Sequence, residues 1–230
     1  MDVSEQFKSI ASLIGEPVRA TMLWNLLDGK AFTATELAIQ ADVSPQSASM
    51  HLNKLVQADL LTVESQGRHR YYRFSKPEVA YVIEAMINLL PEDKIKSKLA
   101  ENARATSGIK YCRTCYDHLA GKIGVAVTDE LLKQKFIRVN GKEYDVTTTG
   151  VKWFSDLGIQ ISDLKTERRV FARQCLDWSE RRHHLAGTLG AALLNQILIL
   201  GWIRKVKDSR EVTVTAKGQT GLYKMLKLSI

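Results

Sequence analysis

Three cysteines, with acidic and imidazole side chains close by, carry the densest chemistry in this 230-residue chain. Cys112-x-x-Cys115 is followed at once by Asp117 and His118, and Cys175 is followed by Asp177, His183 and His184. Thiolate and imidazole groups at short spacing can hold zinc or a thiophilic ion such as trivalent arsenic, and a Cys-x-x-Cys pair offers one wall of such a site. Cys112, Cys115 and Cys175 are therefore candidate metal ligands. A thiol whose pKa is lowered by Arg113 or Arg173 would instead suit oxidation sensing. The same residues also fit a structural role, with small buried sulfur and an Asp that caps or pairs with Arg. Spacing leaves these readings open, so the cofactor is undetermined between none and a metal or thiophilic ion.

A second chemical signature lies in residues 44–70. Ser44, Gln46, Ser47, Ser49, Met50, His51, Asn53 and Lys54 place short polar groups along one segment at helical spacing. Gln46 can pair bidentately with adenine, and Ser47 and Ser49 can reach bases or phosphate, as a helix in a DNA major groove requires. Met50 would touch a thymine methyl or forgo a phosphate contact. His51 is as suited to positioning the backbone or packing under the hairpin as to reading a base. Arg68 and Arg70 fit phosphate or minor-groove contacts, which position without specifying sequence.

The elements that must position these groups follow from local signals. Ser4 is a candidate N-cap for a helix placing Phe7, Ile10, Ala11 and Ile14 on one face. Gly15 and Pro17 break the chain before a helix over 18–27, which Asp28-Gly29 ends. Thr33 or Thr35 starts a short helix with Leu37, Ala38 and Ala41 inward. Ser44 caps the next, with Pro45 at its first position and Ala48, Leu52 and Leu55 inward. Residues 60–64 and 70–74 alternate as the strands of a hairpin with its tip at 65–69. A helix over 79–90 ends at Pro91. Residues 91–107, rich in Lys, Glu and Ser, are the expected boundary, or a helical connector through Ile95 and Leu99.

Charge is uneven. Residues 1–92 carry 8 Lys/Arg against 11 Asp/Glu, while residues 93–230 carry the other 25 against 14. A net +8 points to a polyanionic partner, yet the candidate DNA-reading half is the acidic one. Its phosphate contacts would rest on Arg68, Arg70, Arg73 and Lys76. No secretory signal is evident, and the longest apolar run, 189–203, is too short to span a bilayer. Three cysteines are too few and too odd in number for a disulfide framework. A reducing cytoplasm is the expected location, with no membrane partner.

The second half repeats itself. Arg113-x-Cys115-x-Asp117 matches Arg173-x-Cys175-x-Asp177, and His118-Leu119-Ala120-Gly121 matches His184-Leu185-Ala186-Gly187 after six extra residues. Gly124, Ala126 and Ile137 align with Gly190, Ala192 and Ile203, and Val146-Thr147-x-x-Gly150 resembles Val214-Thr215-x-x-Gly218. Each copy, about 111–160 and 171–228, is expected as helix, extended segment, then Thr-capped helix. The six extra residues, from Trp178 through Arg181 and Arg182 to His183, could line a pocket for an aromatic or carboxylate ligand, or form a solvated turn with Trp178 packed on the core. The candidate effector residues are Cys115, Asp117, His118, Cys175, Asp177, Trp178, Arg181, Arg182 and His184.

Leu13-x-Gly15-Glu16-Pro17-x-Arg19, Glu36-Leu37-Ala38, Ser44-x-x-Ser47-x-Ser49-x-His51-Leu52-x-x-Leu55 and Gly67-Arg68-x-Arg70-Tyr71-Tyr72 resemble, in order and spacing, the ArsR/SmtB family of bacterial winged helix-turn-helix repressors over roughly residues 5–90. The resemblance implies that the helix from Ser44 enters the major groove and that the wing nears the minor groove. It also implies that the first and fifth helices form a homodimer on a two-fold symmetric operator. Two sensor sites common in relatives are missing: no cysteine pair lies near Leu37, and residues 79–90 offer only Glu84 and Asn88. The expected fold is mainly α with small β-hairpins. A winged helix-turn-helix domain (1–92) would precede a C-terminal domain of two related winged-helix-like units (93–230). The expected function is a DNA-binding regulator, a repressor released by an unknown small-molecule, metal or redox effector. The rivals are an architectural DNA binder that senses nothing and a thiol-dependent enzyme fused to a DNA reader, for which no glycine-rich or oxyanion motif appears.

Overall fold

The computed structural model describes residues 2–27, 29–66, 68–91, 108–164, 169–207 and 209–230. The expected break at Asp28, Gly67 of the hairpin tip and the connector over 92–107 lie outside the described residues. The chain forms two compact units, Met1–Met86 and Ile87–Ile230. Helices dominate both, with small antiparallel sheets. Among the described residues no helix is long and apolar enough to cross a membrane.

In the first unit, α1 (Val3–Gly15), α2 (Pro17–Leu26), α3 (Ala34–Gln40) and α4 (Pro45–Gln57) precede a hairpin of β2 (Leu61–Gln66) and β3 (His69–Phe74). A two-residue β1 (Phe32–Thr33) joins β3, and α5 (Pro77–Ile87) follows. Ser4 does not cap α1; the helix begins at Val3 after an extended Asp2 that makes no capping bond. Thr33 starts α3 with a complete capping box: its hydroxyl accepts from Glu36 N, and its own N–H donates to a Glu36 carboxylate oxygen. That arrangement satisfies two backbone donors at once. The Ser44 hydroxyl accepts from Ser47 N, with Pro45 at the first helical position. Ala48, Leu52 and Leu55 turn one stripe of α4 into the core with Leu37, Leu23 and Met22.

In the second unit each repeat copy is built as hairpin, helix, hairpin, helix. The first comprises β4 (Arg113–Cys115), β5 (His118–Ala120), α6 (Gly121–Lys133), β6 (Ile137–Asn140), β7 (Glu143–Val146) and α7 (Thr148–Asp156). After a short α8 (Ile161–Leu164) comes the second: β8 (Arg173–Leu176), β9 (His183–Ala186), α9 (Gly187–Ile199), β10 (Ile203–Lys205), β11 (Val212–Val214) and α10 (Ala216–Leu226). The leading element of each copy is therefore a hairpin, not the expected helix. Thr147 and Thr215 do cap the closing helices, accepting from Gly150 N and Gly218 N.

The copies exchange strands. Tyr144 N donates to Ala172 O and Gln174 N to Lys142 O, at 3.0 and 3.1 Å, joining β7 of the first copy to β8 of the second. At the equivalent positions Val212 N donates to Cys112 O and Thr114 N to Arg210 O, at 3.1 and 2.8 Å, joining β11 to β4. Each leading hairpin thus finds its outer partner in the other copy, and one apolar core runs from Cys112 to Leu226. Within each copy a glycine lets the closing helix approach the chain ahead of its second hairpin: a Cβ on Gly150 would sit 1.9 Å from Phe136 O, and one on Gly218 2.0 Å from Trp202 O.

Candidate functional site

The outer face of α4 leaves Gln46, Ser49, Met50, Asn53 and Lys54 exposed, with Met50 62% accessible and Ser47 half-buried. Not all of these groups are free to read a base. Ser44 Oγ is engaged as the cap, and Ser49 Oγ donates to Pro45 O at 2.8 Å. Gln46, Asn53 and Lys54 keep their full polar heads in solvent. Arg68 and Arg70 are exposed at and beside the hairpin tip, where Arg70 also lies over the Tyr72 ring.

His51 faces inward. Its Nδ1 lies 3.3 Å from a Glu16 carboxylate oxygen and 3.5 Å from Arg19 Nη1. Glu16 caps α2 by accepting from Val18 N and Arg19 N, while the buried Arg19 donates to Ser12 O and Leu13 O at the end of α1. One cluster thus ties the end of α1, the start of α2 and the middle of α4, which fixes the angle at which α4 is presented. Glu16 and Arg19 were absent from the candidate residues. Their signal was the helix break at Gly15–Pro17, where two helix ends leave backbone groups in need of partners.

In the second unit Cys115, His118, Cys175 and His184 bring their ligand atoms within 4.8 Å of one another. The strand register explains why: Cys115 directly opposes His118 across β4–β5, and Cys175 directly opposes His184 across β8–β9. The two Nε2 atoms are 3.1 Å apart. His118 Nδ1 lies 3.3 Å from Asp117 Oδ1, and His184 Nδ1 lies 3.2 Å from Asp177 Oδ2, at an angle short of a regular hydrogen bond. Burial disfavours a charged His184 ring, but Asp177 and then Cys115 outweigh it and raise its pKa. Hydrogen bonding with Cys175, then burial, pushes the Cys115 thiol up to about 12.

Each aspartate is held by an arginine. Asp177 and Arg113 are fully buried and 3.0 Å apart; Asp177 also accepts from Gly121 N, Ser179 N, Ser179 Oγ and Glu180 N. Although burial opposes it, Arg113 and then His184 keep this carboxyl well below the usual range. Asp117 pairs with Arg169. The repeated arginine therefore has two fates, since Arg173 is exposed.

Other candidates fall away from this cluster. Cys112 lies in the apolar core, where burial pushes its thiol up to about 12, and it is not among the grouped ligands. The Cys-x-x-Cys pair thus supplies one ligand, because Cys112, just ahead of β4, enters the apolar core while Cys115, at the end of β4, joins the cluster. Burial outweighs the pull of Arg113 on the Cys112 thiol, and the Arg113 guanidinium is committed to Asp177, Ser179 Oγ and Ile109 O. Trp178 is buried against Arg113 and Lys110. Arg181 donates to Asn88 Oδ1 and Leu90 O, and Arg182 to Asp129. The six extra residues therefore spend their cations on internal partners.

Comparison with known proteins accords with this layout. A family model described as a helix-turn-helix domain matches residues 14–64. The chain is similar to the uncharacterized HTH-type transcriptional regulator YdfF of Bacillus subtilis, 42% identical over 221 residues, covering 96% of this chain and 97% of that protein. It is also similar to the transcriptional repressor SdpR of Bacillus subtilis, 30% identical over 82 residues, 36% of this chain and 90% of that protein. Among solved structures, reduced HlyU from Vibrio cholerae aligns with a TM-score of 0.36 at 24% identity, covering 39% of this chain and 93% of that one. The chain belongs to the family of helix-turn-helix transcriptional regulators that its 42% identical relative represents and is a DNA-binding transcriptional regulator.

Proposed function

We propose that this regulator is a homodimeric repressor that grips a two-fold symmetric operator through α4 and the β2–β3 wing, and that an effector acting on the second unit releases it. The observation that carries the reading is the outer face of α4, where Gln46, Asn53 and Lys54 stand exposed above the buried Ala48–Leu52–Leu55 stripe. Side chains of those types reach base edges and phosphates from a major-groove helix. Dimerisation is supported by apolar groups left in solvent by the single chain: Val3, Phe7 and Ile10 of α1, and Val82 and Met86 of α5. Release requires only that the effector bind the DNA-competent and released arrangements with different affinity.

Selection of binding sites from random duplexes with the full chain, followed by footprinting, tests this reading. Protection of two inverted half-sites centred about one helical turn apart is expected. A uniform, sequence-independent footprint would leave an architectural DNA binder. A reporter driven by the selected site should rise when the gene is deleted; a fall would make the chain an activator.

A further inference from the structure

The two leading hairpins of the second unit deliver the same pair of ligands to one point from opposite sides. Each hairpin contributes a Cys and a His that oppose each other directly in the strand register. Because the copies exchange strands, the two pairs converge, and all four ligand atoms lie within 4.8 Å of one another. A tetrahedral zinc ion with Zn–S about 2.3 Å and Zn–N about 2.0–2.1 Å sets ligand-to-ligand edges of roughly 3.3–3.8 Å. The 3.1 Å between the two Nε2 atoms is close to the nitrogen–nitrogen edge.

The imidazole orientation carries the argument further. Each Nδ1 faces a carboxylate, Asp117 for His118 and Asp177 for His184. A carboxylate opposite Nδ1 favours the ring proton on that side, with the lone pair on Nε2. Two such lone pairs then point at each other across 3.1 Å, which is repulsive unless a proton or a cation lies between them. The two adjoining thiols select a cation: soft sulfur with imidazole nitrogen in four positions is the donor set of zinc-like ions. Charge closes as well. A divalent ion displaces two thiol protons, so two thiolates, two neutral imidazoles and the ion sum to zero. The outer aspartates are already neutralised by Arg113 and Arg169.

We propose that Cys115, His118, Cys175 and His184 form a closed four-coordinate site for a thiophilic divalent cation of the zinc class, with two ligands from each repeat copy. Cys115, His118 and His184 are buried while Cys175 is half-buried, so Cys175 marks the side from which the ion enters. The site rests on the second unit alone and stands whether the chain represses or activates.

Cobalt substitution of the full-length protein, purified without metal affinity and kept reduced, tests the site. One cobalt per chain is expected, with the visible bands of a tetrahedral ion, near-ultraviolet thiolate charge transfer, and displacement of both by one equivalent of zinc. Cys112→Ala should leave the spectrum unchanged, since alanine already stands at the equivalent position 172. Cys175→Ser, at the half-buried ligand, should lose about half of the charge-transfer intensity, and His118→Gln should shift the visible bands; far-ultraviolet circular dichroism identifies variants that keep their fold. Folded wild type that shows no tetrahedral spectrum in excess cobalt overturns the proposal. So does a Cys115–Cys175 disulfide that, once reduced, still takes up no ion, or a spectrum that survives Cys175→Ser and His118→Gln in folded protein.

Discussion

His118 and His184 aim their Nε2 atoms at each other across 3.1 Å, although 66 residues separate them in the chain. Neither ring reaches that position through its own copy. His118 is carried by β5 and His184 by β9, and the exchange of outer strands sets the two hairpins face to face. The buried Arg113–Asp177 pair crosses the same joint, with Asp177 also accepting from Gly121 N at the start of α6. Organisation of this joint is thus shared between a polar network and the thiol–imidazole group.

Breaking that network should be costly. Removing one partner of a buried ion pair leaves an uncompensated charge, a loss of about 3–5 kcal/mol. Arg113→Met is expected to lower the urea stability of the second unit by that order, with Asp177→Asn somewhat less because the amide retains part of the hydrogen bonding. A loss under about 1 kcal/mol, the range of an exposed pair, would contradict the enclosure of this pair.

On the DNA side, Gln46→Ala should cut affinity for the selected operator by roughly 5- to 150-fold, the equivalent of about 1–3 kcal/mol for a bidentate base contact. Binding to unrelated duplex should hardly change. Arg68→Ala should weaken both alike and reduce the salt dependence of binding by about one unit of slope. Gel-shift titrations at several salt concentrations read both effects. Equal losses from Gln46→Ala on operator and random DNA would remove it from the reading residues.

Phe7 is 72% exposed in the single chain. Phe7→Glu should shift sedimentation from dimer to monomer and weaken operator binding, while far-ultraviolet circular dichroism stays unchanged. An unaltered dimer in this variant would assign the apolar face of α1 to another purpose.

Two glycines should respond oppositely to alanine. Gly218 leaves no room, since its Cβ would meet Trp202 O at 2.0 Å, and that carbonyl is held in place by Thr215 N. Gly15 closes α1 with nothing within 4 Å. Gly218→Ala should destabilise by more than a typical substitution, above about 1 kcal/mol, whereas Gly15→Ala should add about 0.4–1 kcal/mol. Thermal melts of both variants give the comparison.

Signals that act over three or four residues are legible in the sequence. The Thr33 and Ser44 caps, the α4 stripe and the Thr147 and Thr215 caps all appear where spacing places them. The thiol–imidazole group is legible only in part. Cys115, His118, Cys175 and His184 are among the residues that recur in both copies, while the nearer pairing of Cys112 with Cys115 points elsewhere. Proximity along the chain favours Cys-x-x-Cys, but Cys112 lies in the apolar core ahead of β4 and only Cys115, on the strand, reaches the group. Recurrence was the better guide, because the pseudo-symmetric joint duplicates whatever lies on it. The leading hairpins are hidden for a related reason: strands of three or four residues carry too little alternation to register, and their outer hydrogen bonds come from the other copy.

The strand exchange also sets an order of events during synthesis. The bonds that complete β4 come from Arg210 and Val212, nearly a hundred residues downstream, so the first hairpin of the second unit has no outer partner until that stretch leaves the ribosome. The first unit closes on contacts much nearer in sequence, such as Leu61↔Phe74 and Phe32↔Tyr72. Local contacts form fast and distant ones late, and domains fold from the N-terminus as they emerge. The newborn chain thus has its DNA-reading end assembled while the other end is still waiting for its own tail.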